Sequence, residues 1–413
     1  MIEKLIKYKK QLSNFFYLSC LQFVNMILPL IILPFLLHRL GLENYGKVVF
    51  SLAIASYFTI LINFGFNVAI TREISIHRER KERLSIIVSN TLFIKLILII
   101  ISFFLVFIVN QVILKNSDVI YYYALLISFG EMLFPLWFFQ GMEKMKYITY
   151  INVTIKIAFT IALLFFIKNK EDYIYVPMLQ GISGIIGGVI ALIFVFQQIG
   201  IRVTAPSARY ILVLIKKGYV FLLADIAAVI KDKTNIIVIG QLIGMVPLAY
   251  YDIAEKIVWA FRSLFVNITN AFFPFFAKNK PADDVKLIIK ITFILSIICY
   301  LILAIFSGKI ILLLSSETLL PAQYLLYIMG TYIIFATLSS NIGQSILIVN
   351  SLYKEFLQNL FLSTLFYLVF LSLLIIINVD LYMLSILYIS SIIFELVHRV
   401  YICKKKNLIS WII

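Results

Sequence analysis

Between Asn90 and Asn110 the chain reads "NTLFIKLILIIISFFLVFIVN", with Lys95 its only charge. A helix of that length spans about 30 Å, the thickness of a bilayer's hydrocarbon core. The pattern recurs along the whole chain. Runs of roughly 20 or more largely apolar residues occupy about 12–37, 47–70, 84–109, 119–140, 148–167, 175–197, 218–240, 250–273, 287–306, 321–348, 355–377 and 382–402. Twelve such runs leave no room for a soluble domain. Composition agrees: 62% of residues are hydrophobic and 14% charged, against about 25% charged in soluble domains. The expected class is an all-α, polytopic membrane protein.

Basic residues set the expected orientation, because cytoplasmic connections concentrate Lys and Arg. One alternate set of connections carries 23 cations, including Lys81, Arg209, Arg399 and Lys404; the other carries 6. This bias and the even number of spans place both termini in the cytoplasm. The first apolar run is too long for a signal-peptide core and has no small-residue cleavage site after it, so it is read as a retained span. The longest cytoplasmic connection divides the chain into 1–197, a linker over 198–217, and 218–413, with six spans on each side. Three scattered cysteines give no disulfide framework. No nucleophile–base pair or metal-ligand cluster stands out, so no catalytic or metal site and no cofactor is expected, and no nucleic-acid partner.

The segment "LPFLLHRLGLENYGKVVFSLAIASYFTILINFGFNVAITREIS" (33–75) resembles the N-terminal signature of polysaccharide flippases. Leu40, Gly41, Tyr45 and Gly46 match the hairpin after the first span, and Gly65 and Arg72 match the Gly-rich turn and Arg after the second. "AYYDIAEKIV" (249–258) is similar to the stretch that opens the eighth span. The family is the O-antigen flippase (Wzx) type of the multidrug/oligosaccharidyl-lipid/polysaccharide exporter superfamily. The resemblance implies two six-helix bundles, V-shaped about a central cavity lined by spans one, two, seven and eight. It implies translocation, by alternating access, of undecaprenyl-pyrophosphate-linked oligosaccharide repeats from the cytoplasmic to the periplasmic leaflet of the bacterial inner membrane. The pathway's polymerase and chain-length regulator are implied partners beside the bilayer itself. Two other functions stay open: a cation-coupled drug exporter of the same superfamily, and a membrane polysaccharide polymerase. The second is disfavoured by the lack of a large periplasmic loop. The first is disfavoured by an interior richer in cations than in acids.

The residues point to a site on their own. In "ADIAAVIKDKTNIIVIG" (224–240) the triplet Lys231-Asp232-Lys233 interrupts apolar sequence. If it were a loop, the preceding span would be only 12 residues. Basic connections on both sides require two spans between them, so the triplet lies inside span seven. A charge there costs at least about 2.5–3.5 kcal/mol and marks a pathway unless a partner offsets it. Function and structural pairing with a carboxylate both remain readings of these lysines. On span eight Asp252, Lys256, Trp259, Asn267 and Asn270 share a stripe at 100° per residue, flanked by Glu255 and Arg262. Asn63 and Asn67 share a face of span two, and interhelical hydrogen bonding is favoured over ligand contact for such residues taken alone. The candidate binding set is Lys231, Lys233, Lys256, Arg262, Arg72, Asn63, Asn67 and Trp259: cations for a pyrophosphate, amides and a ring for sugars. Candidate ion-coupling acids for H⁺ or Na⁺ are Asp225, Asp232 and Glu131. Glu131 alternatively pairs with Lys95 or Lys156. Gly181, Gly184 and Gly188 form a small-residue face suited to helix packing.

Overall fold

The computed structural model describes residues 2–108, 110–111, 118–279, 282–314, 319 and 321–408. Side chains before Phe16 and at a few later positions lie outside the described residues. The described chain is helical throughout: α1 (Ile2–Asn63), α2 (Phe66–Ile76), α3 (Lys81–Ile108), α4 (Ile120–Leu133), α5 (Leu136–Gly141), α6 (Met145–Phe166), α7 (Tyr175–Ile193), α8 (Ala208–Val238), α9 (Met245–Asn279), α10 (Ala282–Leu314), α11 (Pro321–Ile342), α12 (Tyr353–Ile377) and α13 (Leu381–Lys405).

Among the described residues, nine helical segments are long and apolar enough to cross a membrane. The first of them, Ser19–Ile76, covers 58 residues. It holds two expected spans, because Gly41 breaks α1 with φ 74° and ψ 169°. Only glycine adopts that backbone readily. The two helices α8 and α9 fall outside the nine because charged side chains interrupt their apolar surface. Adding these to the divided first segment is consistent with twelve spans.

The chain forms two compact units, Met1–Val229 and Ile230–Ile413. In the first, Phe64 (φ 48°) and Gly65 (φ 67°) turn the end of α1 into α2. A methyl on Gly65 would stand 2.5 Å from the Phe221 Cβ and 2.6 Å from the Gly218 oxygen, so α8 packs directly on this turn. The break between α4 and α5 falls at Pro135, which lacks the amide hydrogen a continuous helix needs. The short helices α2 and α5 then lie together, with Gly141 against Ile74, over a buried aromatic group of Phe66, Trp137, Phe138 and Phe139. The small-residue face of α7 packs as expected: Gly181 meets Leu126 of α4, and Gly188 meets Leu133. In the second unit, Phe276, Val285, Ile289, Ile342, Ile346 and Cys403 form a core near one end of the helices.

Candidate functional site

α8 runs unbroken through Lys231-Asp232-Lys233, so the triplet is helical, as the span count requires. What the sequence left open was its partners. Lys231 Nζ lies 2.6 Å from Glu395 Oε2 of α13. The other oxygen of Glu395 takes Arg399 at 2.9 Å. All three charges are buried, with Lys231 7%, Glu395 6% and Arg399 3% exposed. Neutral groups complete the shell. Ser339 of α11 donates to Glu395 Oε1 at 2.9 Å, and Ser363 of α12 reaches Oε2 at 3.4 Å. Asn359 accepts from Arg399 Nε at 2.8 Å and donates to the Glu395 main-chain oxygen at 3.0 Å. Buried ions persist only where pairing and hydrogen bonds offset desolvation, and this carboxylate has both. The structural-pairing reading of Lys231 is therefore what the geometry displays.

The rest of the triplet is tied in as well. Tyr388 donates to Asp232 Oδ1 at 3.0 Å and meets the Tyr332 hydroxyl at 3.3 Å. Lys233 lies 3.8 Å from Glu255 of α9. One turn along α9, Lys256 bonds Asp252. Below them the Asn235 amide is held by Tyr251, Tyr367 and the Leu384 main-chain oxygen. Five helices of the second unit thus converge on one polar layer.

Arg262 differs from its neighbours. Its guanidinium sits over the rings of Tyr332 (4.9 Å) and Trp259 (5.5 Å). Its Nε is buried and has no hydrogen-bond partner among the described residues. A buried donor left unmade costs about 1–3 kcal/mol. An anionic oxygen would satisfy it. Trp259, on the same helix face, is exposed and offers a flat surface for stacking.

The candidates of the first unit have a different character. Lys95 is fully buried and donates to Asn63 Oδ1 at 3.0 Å and to the Glu131 main-chain oxygen at 3.3 Å. The Glu131 side chain itself is exposed, so Lys95 is held by neutral acceptors rather than by that carboxylate. Asn67 is half-buried in α2. Arg72 is exposed on the same helix, while its neighbour Glu73 takes Lys217 at 2.7 Å. Asp225 is exposed and has no ion-pair partner among the described residues.

Glu395, Arg399, Tyr332 and Tyr388 were not anticipated as site residues. Arg399 counts in the sequence among the basic residues of a cytoplasmic connection. Its burial inside α13 removes it from that tally and leaves the bias intact. A lone carboxylate within the apolar run "YISSIIFELVHRVYIC" was the available signal for Glu395.

Helices long and apolar enough to cross a bilayer many times, around a layer of buried charged and polar side chains, define a multi-pass membrane protein. Comparison with solved structures places the fold. The chain is similar to the lipid II flippase MurJ in its inward closed conformation, with TM-score 0.74, 15% identity, and 94% of this chain and 87% of that one covered. It is similar to an inward-facing multidrug resistance MATE family transporter of the MOP superfamily, with TM-score 0.71, 15% identity, and coverage of 95% and 97%. Residues 11–280 match the polysaccharide biosynthesis protein family, and the chain belongs to that family. A protein of Escherichia coli (strain K12) named as a candidate O-antigen transporter is 27% identical over 359 residues, 83% of this chain and 85% of its own. A Shigella dysenteriae protein of the same name is 27% identical over 268 residues, 64% of this chain and 67% of its own.

Proposed function

We propose that this protein is a transporter, not an enzyme, and that it moves undecaprenyl-pyrophosphate-linked oligosaccharide repeats from the cytoplasmic to the periplasmic leaflet of the bacterial inner membrane. Both termini lie on the cytoplasmic side, and the cycle runs by alternating access. The observation that carries the reading is Arg262: a buried guanidinium with an unsatisfied N–H, framed by two aromatic rings, in a chain of the polysaccharide biosynthesis protein family. Lys233 and Lys256 stand on the same polar layer and supply further positive potential. Lys231 contributes charge from behind, through its pair with Glu395. Trp259 offers a stacking face to a sugar ring. Arg72, Asn63 and Asn67 remain proposed contacts of the first unit. Asp225, Asp232 and Glu131 remain the proposed coupling groups for H⁺ or Na⁺, with Asp225 or Glu131 preferred because Asp232 is flanked by Lys231 and Lys233 and accepts from Tyr388. The polymerase and chain-length regulator of the pathway are the proposed protein partners.

The test is transport itself. Proteoliposomes carrying the lipid-linked repeat on one leaflet are followed by access of the glycan to a membrane-impermeant lectin. Arg262→Gln should lower the rate at least tenfold, since a hydrogen bond to a charged group contributes about 1.5–3 kcal/mol. Arg262→Lys should keep part of the rate. If Arg262→Gln transports normally, the phosphate reading of this residue is wrong. If the wild type moves no lipid-linked glycan of any composition, the function is wrong.

A further inference from the structure

The described residues contain a second feature, lined by none of the residues proposed for transport. Between the start of α12 and the end of α13 lies an open groove of about 650 Å³. Its polar end is formed by Glu355, His398, Lys405 and Lys406, and its apolar wall by Phe361 and Tyr401. Lys406 reaches Glu355 at 3.3 Å, and both remain partly exposed. Lys405 is exposed, with no ion-pair partner among the described residues. His398 is stacked between Phe394 and Tyr401, and its Nδ1 meets the Asn359 amide at 3.0 Å, which fixes the groove's floor.

Chemistry on the two sides of the groove differs. Toward the helix ends there is net positive charge and a tyrosine hydroxyl, the composition of a membrane–water interface. Away from the ends the wall runs into Phe361, Leu365 and Val369 of α12, all exposed and four residues apart. That strip is about 12 Å long at 1.5 Å per residue, most of one leaflet's ~15 Å. A soluble anion would leave the strip uncovered, and a neutral lipid would leave the cations unmatched.

We propose that this groove binds an anionic phospholipid, with its phosphate between Lys405 and Lys406 and an acyl chain along Phe361, Leu365 and Val369. The site is separate from Arg262 and does not depend on what the protein transports. Each lysine close to a lipid phosphate contributes about fivefold to retention. Removing Lys406 also strips Glu355 of its partner, which adds repulsion.

The experiment measures lipid retention on the purified full chain. Protein from nanodiscs of phosphatidylcholine with graded phosphatidylglycerol is released into mild detergent and bound lipid is counted by native mass spectrometry. The wild type should retain phosphatidylglycerol over phosphatidylcholine. The double variant Lys405→Gln/Lys406→Gln should lose about twenty-five-fold, with an unchanged melting temperature and elution volume. Lys404→Gln, exposed nearby but outside the groove, should lose less than twofold. An equal loss from Lys404→Gln overturns the site in favour of diffuse surface charge. Displacement by glycerol phosphate at the same concentration overturns the role of the acyl strip. Preference for undecaprenyl phosphate over phosphatidylglycerol overturns the phospholipid assignment and makes the groove a carrier-lipid site.

Discussion

Replacing Glu395 by Gln should destabilise the protein more than replacing Lys231 by Met, although both changes break the same 2.6 Å pair. Glu395 faces two cations. Without its charge, Lys231 and Arg399 stand buried beside a neutral amide. Taken as ~6 Å apart at an effective dielectric constant of ~20, they repel by about 3 kcal/mol. That matches the ~3–5 kcal/mol typical of a buried pair that loses one partner. Lys231→Met removes the charge at the other end. Glu395 then keeps Arg399, Ser339 and Ser363, so the loss is one charge-assisted hydrogen bond, about 1.5–3 kcal/mol. The double variant should cost less than the sum of the two, by about 1–3 kcal/mol, because each change removes the reason for the other's penalty. The assay is unfolding of the purified protein in mixed micelles by graded denaturing detergent, run on the wild type, both single variants and the double. Additivity within about 0.5 kcal/mol would refute the reasoning. So would a Glu395→Gln protein no less stable than Lys231→Met.

Asn63→Leu removes the 3.0 Å acceptor from fully buried Lys95, leaving it one main-chain oxygen, and should cost about 1.5–3 kcal/mol in the same unfolding assay. A cysteine at Glu171 should react from outside intact cells with an impermeant thiol reagent, and one at Lys81 should not; the reverse labelling would invert the topology. Asp225→Asn should abolish any acceleration of transport by an imposed pH or Na⁺ gradient; equal acceleration in the variant would exclude Asp225 as the coupling group.

The apolar runs were legible because a bilayer admits few solutions, and most became helices close to their expected bounds; 47–70 and 119–140 are instead broken at Gly65 and Pro135, and α8 begins at Ala208, inside the expected linker. The position of Lys231 inside a span followed from counting basic connections. Its partner did not, since Glu395 lies 164 residues away and periodicity reports a face rather than what the face meets. In sequence, Glu395 and Arg399 look like an ordinary i,i+4 pair near a helix end. The span breaks were half legible. Gly65 read as a turn, whereas Pro135 carried an equally clear signal in its restriction of the residue before it. Arg262 was placed by its helical position, and Trp259 is its neighbour on α9, but the second ring that frames it, Tyr332, comes from α11 and is distant in sequence.

The polar layer of the second unit, part buried and part half-buried, holds five cations, Lys231, Lys233, Lys256, Arg262 and Arg399, and four carboxylates, Asp232, Asp252, Glu255 and Glu395. Its surplus is therefore about a single positive charge, however many basic residues line it. A carrier that clasped a diphosphate with unopposed lysines would reach so deep a bound state that departure became the slow step. Internal neutralisation keeps the well shallow. Under the proposed function, the carboxylates paired with these cations stand in for the cargo's phosphates and reclaim their cations as the cargo leaves. Turnover, on this view, is set less by how many cations the protein brings than by how nearly it has already cancelled them.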